Sequence, residues 1–323
     1  MKKICMIGSG AWGTAMATVL AHNGHEVIVW CHDEAVAQEI NTKHTNNNFL
    51  PDVFLHKHIS ATTNLNEAMA GARWIFEATP VSYLRETLQK MRTQYQKEQI
   101  FVMLSKGIDR TSAQLPTQML DEIFGPRVAK AVCVGPSFAR EVAAQKVTGV
   151  IVASDNPAVA NELQSLLAND YFYPEISSDM IGAQIGAAFK NVMAIGDGLL
   201  DGADYEDNTK ALFITRALRE MVLITKKMGG KEETLYGLSG VGDLILTTVG
   251  AQSRNLAIGK LVGAGQSLDS VLKTTGFTAE GANTVQSLRL LTQKLKLELP
   301  LCSGIYAVLF EKKSVQELVK RLK

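Results

Sequence analysis

The chain has 323 residues, 46% of them apolar, enough for two domains with substantial cores. Its 33 Lys and Arg nearly balance 32 Asp and Glu, which removes the electrostatic argument for a nucleic-acid partner. An anionic ligand must therefore be held by a local cluster of bases. The four cysteines (Cys5, Cys31, Cys133, Cys302) show no CxxC or Cys/His spacing, so neither a disulfide framework nor a metal site is expected. Lys2-Lys3 precede an apolar run that breaks at Gly8, which does not read as a signal peptide. No run reaches the ~18 apolar residues of a membrane span, and a cytoplasmic protein is expected.

The first thirty residues are the most informative. Ile4–Ile7 is a short apolar run, Gly8-Ser9-Gly10-Ala11-Trp12-Gly13 follows, and Thr14–Ala21 reads as a helix. Val27–Trp30 is a second apolar run. Strand, glycine turn, helix and strand make the opening βαβ unit of a dinucleotide-binding domain. Gly8 permits the tight turn, Gly10 removes a Cβ that would block a pyrophosphate, and Gly13 lets helix and strand approach. The phosphates then meet N–H groups at the positive end of the helix. An acid at the end of the second strand would favour NAD, a base NADP. Here the strand ends Trp30-Cys31-His32-Asp33. His32 tilts the balance towards NADP, Asp33 arrives late and suits a helix cap, and NAD stays open.

Further along, Asp33–Ile40 reads as a helix and Asn41–Asn48 as an exposed polar loop. Ile59–Thr63 and Trp74–Ala78 read as strands, with Leu65–Ala70 a helix between them and Tyr83–Tyr95 a helix after. Ile100–Leu104, Ala131–Val134 and Thr148–Ala153 read as strands, with helices at Gln114–Phe124 and Pro157–Leu167. This alternation predicts a Rossmann-type, doubly wound and mainly parallel sheet over residues 1–180. Beyond residue 180 the pattern turns helical: Ile181–Asp201, Asn208–Met228 with Thr209 near its cap, Leu256–Val262, Leu268–Thr274, Ala282–Leu295 and Val315–Leu322. An all-helical domain over residues 181–323 is expected, with the substrate site in the cleft between the two.

Several residues are candidates for chemistry. Lys190 lies among small and apolar neighbours with no acid within one turn. It is either a lysine on a solvated helix edge or a desolvated one with its pKa lowered into the general-base range. Asn191 is placed to orient a substrate oxygen. Asp243 closes the glycine-rich stretch Gly237–Gly242. It reads equally as a helix cap and as a partner of Lys190. Ser253-Arg254-Asn255 offers a fork of donors for phosphate or carboxylate, against the alternative of a solvated surface Arg. Lys106, at a strand's carboxyl end, is a further cation.

In this order the segments resemble the NAD(P)-dependent glycerol-3-phosphate dehydrogenases of the soluble bacterial type. The matching motifs are GSGAWGTA (Gly8–Ala15), SKGI (Ser105–Ile108), GPSFARE (Gly135–Glu141), AAFKNVMAI (Ala187–Ile195), GLSGVGDLILT (Gly237–Thr247), SRN (Ser253–Asn255) and TAEG (Thr278–Gly281). Trp12 enlarges the usual aromatic after the second glycine, and Arg140 stands where lysine is frequent. The resemblance implies a Rossmann domain followed by a helical one. It implies that Lys190 is the proton donor or acceptor at the carbinol carbon. Lys106, Gly135, Ser137, Asp243, Ser253, Arg254 and Asn255 would hold glycerol phosphate. Ala11, Trp12, His32, Lys106, Ala139, Arg254, Thr278 and Glu280 would contact the cofactor. The implied role is supply of glycerol phosphate for phospholipid head groups. The apolar runs of the helical half exceed one core, and a homodimer is expected. Two competing readings are a related reductase acting on a β-hydroxyacid and a nucleotide-sensing module without turnover.

Overall fold

The computed structural model describes residues 1–250, 252–277 and 280–323. It divides into two compact units: Met1–Ser105 with Pro116–Met180, and Lys106–Leu115 with Ile181–Lys323. The segment Lys106–Leu115 thus belongs to the second unit, although it lies in sequence within the first.

The first unit alternates β1 (Lys3–Ile7), α1 (Ala11–His22), β2 (Glu26–Trp30), α2 (Glu34–Lys43), β3 (Ile59–Thr62), α3 (Leu65–Met69), β4 (Trp74–Glu77) and α4 (Val81–Arg92). It continues with β5 (Ile100–Met103), α5 (Pro116–Phe124), β6 (Lys130–Val134), α6 (Ala139–Ala143), β7 (Thr148–Ala153), α7 (Pro157–Leu167) and β8 (Phe172–Ser177). The strands form one sheet in the order β3-β2-β1-β4-β5-β6-β7-β8. Every neighbouring pair is parallel except β6 with β7. Strand order reverses between β1 and β4, which makes their carboxyl ends the topological switch point where such sheets bind ligands. Every residue of β4, β5 and β6 is buried, as expected for strands covered on both faces. The doubly wound, mainly parallel sheet is as the sequence predicts. The edge strand β8 has no counterpart in the sequence reading, because Pro174 and Glu175 interrupt its apolar signal.

The loop reading of Asn41–Asn48 needs correction. α2 extends to Lys43, and Asn46 is fully buried. Its amide Nδ2 donates to Ser9 O and to Thr14 Oγ1, both at 2.8 Å. A polar residue in a polar stretch gives no sign that it will be buried under a distant turn.

The second unit is helical: α8 (Met180–Gly202), α9 (Asp207–Lys227), α10 (Glu232–Leu235), a π-helical turn (Leu238–Gly242), α11 (Asp243–Val249), α12 (Arg254–Gly263), α13 (Leu268–Thr275), α14 (Glu280–Leu295), α15 (Pro300–Phe310) and α16 (Val315–Lys320). Thr209 does not cap α9; Glu206 occupies that position without a side-chain bond. α15 is apolar and Pro-initiated, and its short run carries no clear periodicity. No helix of the described residues is long and apolar enough to cross a membrane.

Small residues in α8 have a specific cause. A Cβ on Gly198 would overlap Leu256 O, and one on Gly202 would overlap Lys260 O. Reciprocally, Cβ atoms on Gly259 and Gly263 would overlap Ile195 O and Leu199 O. Glycines four apart on both helices let α8 and α12 touch backbone to backbone. Gly259→Ala must push them apart, and the expected cost is about 1–3 kcal/mol, typical of overpacking. Urea unfolding checks this; an unchanged midpoint would contradict the close approach.

Candidate functional site

In the first unit the candidate residues gather at the end of β1. Gly8 has φ +108°, and a Cβ there would lie 3.1 Å from Ala78 C and O. A Cβ on Gly13 would overlap Gly8 O. Both glycines are therefore demanded by the turn itself. Gly10 differs: its backbone is ordinary (φ −63°), and nothing lies within 4 Å of an added Cβ. It borders open space at the N-terminus of α1, where no side chain caps the helix. An uncapped twelve-residue helix facing open space across a Cβ-free turn fits a dinucleotide's pyrophosphate. Asn46, bonded to Ser9 O and Thr14, braces this turn. Ala11 opens α1, and Trp12 packs half-buried against the core. Ala139 begins α6, which lies along α1.

At the end of β2, Asp33 caps α2 by accepting Ala35 N–H at 2.8 Å, and His32 is exposed. Past β6, Gly135 has φ +156° with Val150 Cα 2.9 Å from an added Cβ, and Ser137 Oγ donates to Gly135 O at 3.0 Å.

In the second unit the remaining candidates converge. Gly186 and Lys190 are one turn apart on α8. A Cβ on Gly186 would overlap Ser239 O, so the π-helical turn seats its backbone there. Asp243, one turn beyond Ser239, then falls beside Lys190. Lys190 Nζ donates to Asp243 Oδ1 at 2.6 Å, and Lys106 Nζ donates to Oδ2 at 3.0 Å. Asp243 is 0% exposed and Lys190 7%, which settles the partner reading against both the helix cap and the solvated edge. Burial lowers the Lys190 pKa to about 8; Asp243 pulls it up and Lys106 pushes it further down.

Asn255 Nδ2 donates to Asn191 Oδ1 at 3.0 Å. The hydroxyl of Ser253 accepts Leu256 N–H at 3.3 Å and starts α12, leaving Arg254 exposed in the first turn. A Cβ on Gly281 would overlap Asn255 Oδ1, so the start of α14 sits against this pair. Burial raises the Glu280 pKa, opposed first by Arg254, then by Lys106 and Lys190. Lys106, Lys190 and Arg254 thus act on one region, with Asp243 and Glu280 as its acids. The cationic surplus suits an anion. Thr278 lies outside the described residues. Asn46 and Glu77, a fully buried acid ending β4, were not singled out from the sequence.

A model of the NAD-dependent glycerol-3-phosphate dehydrogenase N-terminus matches residues 3–160, and one of the C-terminus matches residues 179–320. The chain belongs to this family. It is 40% identical over 324 residues to a glycerol-3-phosphate dehydrogenase [NAD(P)+] of Bacillus velezensis, covering 100% of this chain and 94% of that protein. An Enterococcus faecalis protein of the same name is 38% identical, with coverage of 99% and 95%. The crystal structure of the Coxiella burnetii glycerol-3-phosphate dehydrogenase superposes with a TM-score of 0.95 at 32% identity, covering 99% of this chain and 98% of that one. The chain is an NAD(P)-dependent dehydrogenase, and the β-hydroxyacid reductase and non-catalytic readings fall away.

Open space beside Gly10 makes a clean test possible. Gly10→Ala should leave Tm unchanged while weakening NAD(P)H binding at least ~10-fold, because the methyl enters the anion's space rather than the protein's. Binding followed by nicotinamide fluorescence checks it. Equal affinity would remove the turn from the cofactor site.

Proposed function

We propose that this dehydrogenase interconverts sn-glycerol 3-phosphate and dihydroxyacetone phosphate, with Lys190 as the acid and base and the Arg254 cluster as the phosphate anchor. The observation that carries the reading is the buried Lys106–Asp243–Lys190 arrangement. A lysine with a pKa of about 8 is populated in both protonation states near neutrality, which both directions require.

When bound, the nicotinamide supplies or takes the hydride at the substrate's central carbon. As negative charge grows on the carbonyl oxygen, the Lys190 ammonium stabilises it and gives it a proton. In the oxidising direction neutral Lys190 takes the hydroxyl proton. Asp243 offsets the burial cost of the ammonium and aims it, and Lys106 adds positive charge. Asn191, held by Asn255, is a donor for a substrate oxygen. Arg254, with Ser253 and Asn255, provides a fork for the phosphate, so binding remote from the reacting carbon orients it. Gly135 and Ser137 belong to the same proposed substrate set. Gly8, Gly10, Ala11, Trp12, Gly13, His32 and Ala139, together with Lys106, Arg254, Thr278 and Glu280, make the proposed cofactor contacts. Exposed His32 beyond β2 supports use of NADP, with NAD as the alternative.

The proposal extends to supply of glycerol 3-phosphate for phospholipid synthesis in the cytoplasm, where the four free, buried cysteines stay reduced. It includes a homodimer, supported by the exposed apolar residues Leu212 and Leu223 of α9.

Loss of absorbance of NADPH, then NADH, with dihydroxyacetone phosphate tests the reaction directly; no turnover in folded, cofactor-binding protein would refute it. Lys190→Ala should lower kcat at least ~100-fold, the loss expected for a general acid that also steadies an oxyanion. Near-normal turnover would sink that assignment. Arg254→Ala should raise KM for dihydroxyacetone phosphate by ~10-fold or more, since a charged hydrogen bond to phosphate is lost. An unchanged KM would exclude Arg254 as the anchor.

A further inference from the structure

Glu77 ends β4 at the topological switch point and is 0% exposed. Its Oε1 accepts Thr79 N–H at 2.6 Å and also the Thr79 hydroxyl. Its Oε2 lies 2.6 Å from Ser105 Oγ, and the same Ser105 Oγ lies 2.6 Å from Thr79 O. The Ser105 hydroxyl has one hydrogen and two acceptor oxygens at equal, short range. Both contacts are satisfied only if Oε2 carries a proton that it donates to Ser105, which then donates to Thr79 O. With Glu77 ionised, one of these contacts lacks a hydrogen and becomes repulsive.

The network bears on the cofactor site through its backbone. Thr79 N lies 3.3 Å, and Ala78 C and O 3.1 Å, from the position a Cβ would take on Gly8. The glycine turn therefore rests on the segment that Glu77 fixes. We propose that Glu77 is a positioning residue of the dinucleotide site, held as the neutral acid, and that its ionisation loosens the Thr79 backbone under the glycine turn and weakens dinucleotide binding. This rests on the dinucleotide reading of the turn.

Charge around Glu77 supports the neutral form. The strands packed on β4 place Ile7 of β1 and Met103 of β5 at its register. The titratable groups of β1 are Lys3, at the far end of the strand, and Cys5, whose thiol burial pushes up; β5 has none. Thr79 and Ser105 are the polar partners of Glu77, and neither is charged. Burial is the largest cause and raises its pKa to about 7; the Thr79 N–H and hydroxyl, which donate to the carboxyl, pull it down.

The sign follows from this protonation state. Below about 7 the acid is neutral and the turn is supported; above it the proton is lost. For the reduced cofactor, the loosened turn and the added negative charge near the pyrophosphate act in the same direction. NADH and NADPH should each bind about 3- to 10-fold more weakly at pH 8.5 than at pH 6, the equivalent of one hydrogen bond. Glu77→Gln keeps an acceptor for Thr79 and a donor for Ser105 at every pH, so it should bind as the native protein does at pH 6 and about 3- to 10-fold more tightly than the native protein at pH 8.5.

Two readouts on the full chain decide the matter: the Kd of NADH and NADPH against pH, and the infrared difference spectrum between the cofactor-free native protein and Glu77→Gln. The expected results are a native Kd that equals that of Glu77→Gln at pH 6 and exceeds it about 3- to 10-fold at pH 8.5, and a carboxylic-acid C=O band at pH 6 that vanishes by pH 8.5. Identical Kd profiles for both proteins, or a carboxylate band at pH 6, overturn the proposal. Absence of binding by either cofactor at any pH would instead overturn the dinucleotide reading, and this inference with it.

Discussion

A carboxylate buried between two ammonium groups organises the second unit. Asp243 has no exposure to water and is bonded to Lys190 and Lys106. Removing one member of a buried ion pair costs on the order of 3–5 kcal/mol, because the remaining charge stays desolvated. The same arrangement that threatens stability when broken also sets the chemistry. Without Asp243, burial and Lys106 would push the Lys190 pKa lower still, leaving less ammonium to meet a growing oxyanion. Without burial, Lys190 would stay protonated up to the ordinary lysine range and be a poor base. Asp243 and burial oppose each other, and the balance falls near neutrality.

Glycine contacts hold that balance in place. The π-helical turn reaches α8 only because Gly186 leaves room for Ser239 O. Gly198 and Gly202 facing Gly259 and Gly263 fix α12 against α8, which carries Asn255 to Asn191 and places Arg254 at the start of α12. Gly281 then admits the start of α14, with Glu280, against Asn255. All but the last are backbone contacts, stiffer than any between long side chains. The polar cluster therefore inherits its geometry from close helix packing rather than from flexible side chains finding one another.

Legibility in the sequence followed the range of each interaction. The βαβ opening was readable because strand, glycine turn and helix are adjacent in the chain, and their spacing alone specifies the turn. The helical second half was readable from apolar patterning. From the residues alone, Lys190 and Asp243 each kept two readings, because their pairing spans 53 positions. The resemblance to a known family supplied their implied roles; the geometry then supplied the contact. Asn46 and Glu77 were invisible for the same reason. One sits in a polar stretch and the other ends an apolar strand, and only the tertiary fold buries them beside the glycine turn. β8 was missed because Pro174 and Glu175 interrupt a short apolar signal.

Asp243 sustains the charge of a buried Lys190, and direct titration of that lysine tests the pairing. The Lys190 side-chain signal, assigned with Lys190→Met and followed by NMR in the cofactor-free protein, should titrate at about 8. In Asp243→Asn the midpoint should move lower, since the group that favours the ammonium is gone while burial and Lys106 remain. A midpoint at the ordinary lysine value in the native protein, or one that Asp243→Asn leaves unmoved, would contradict the account.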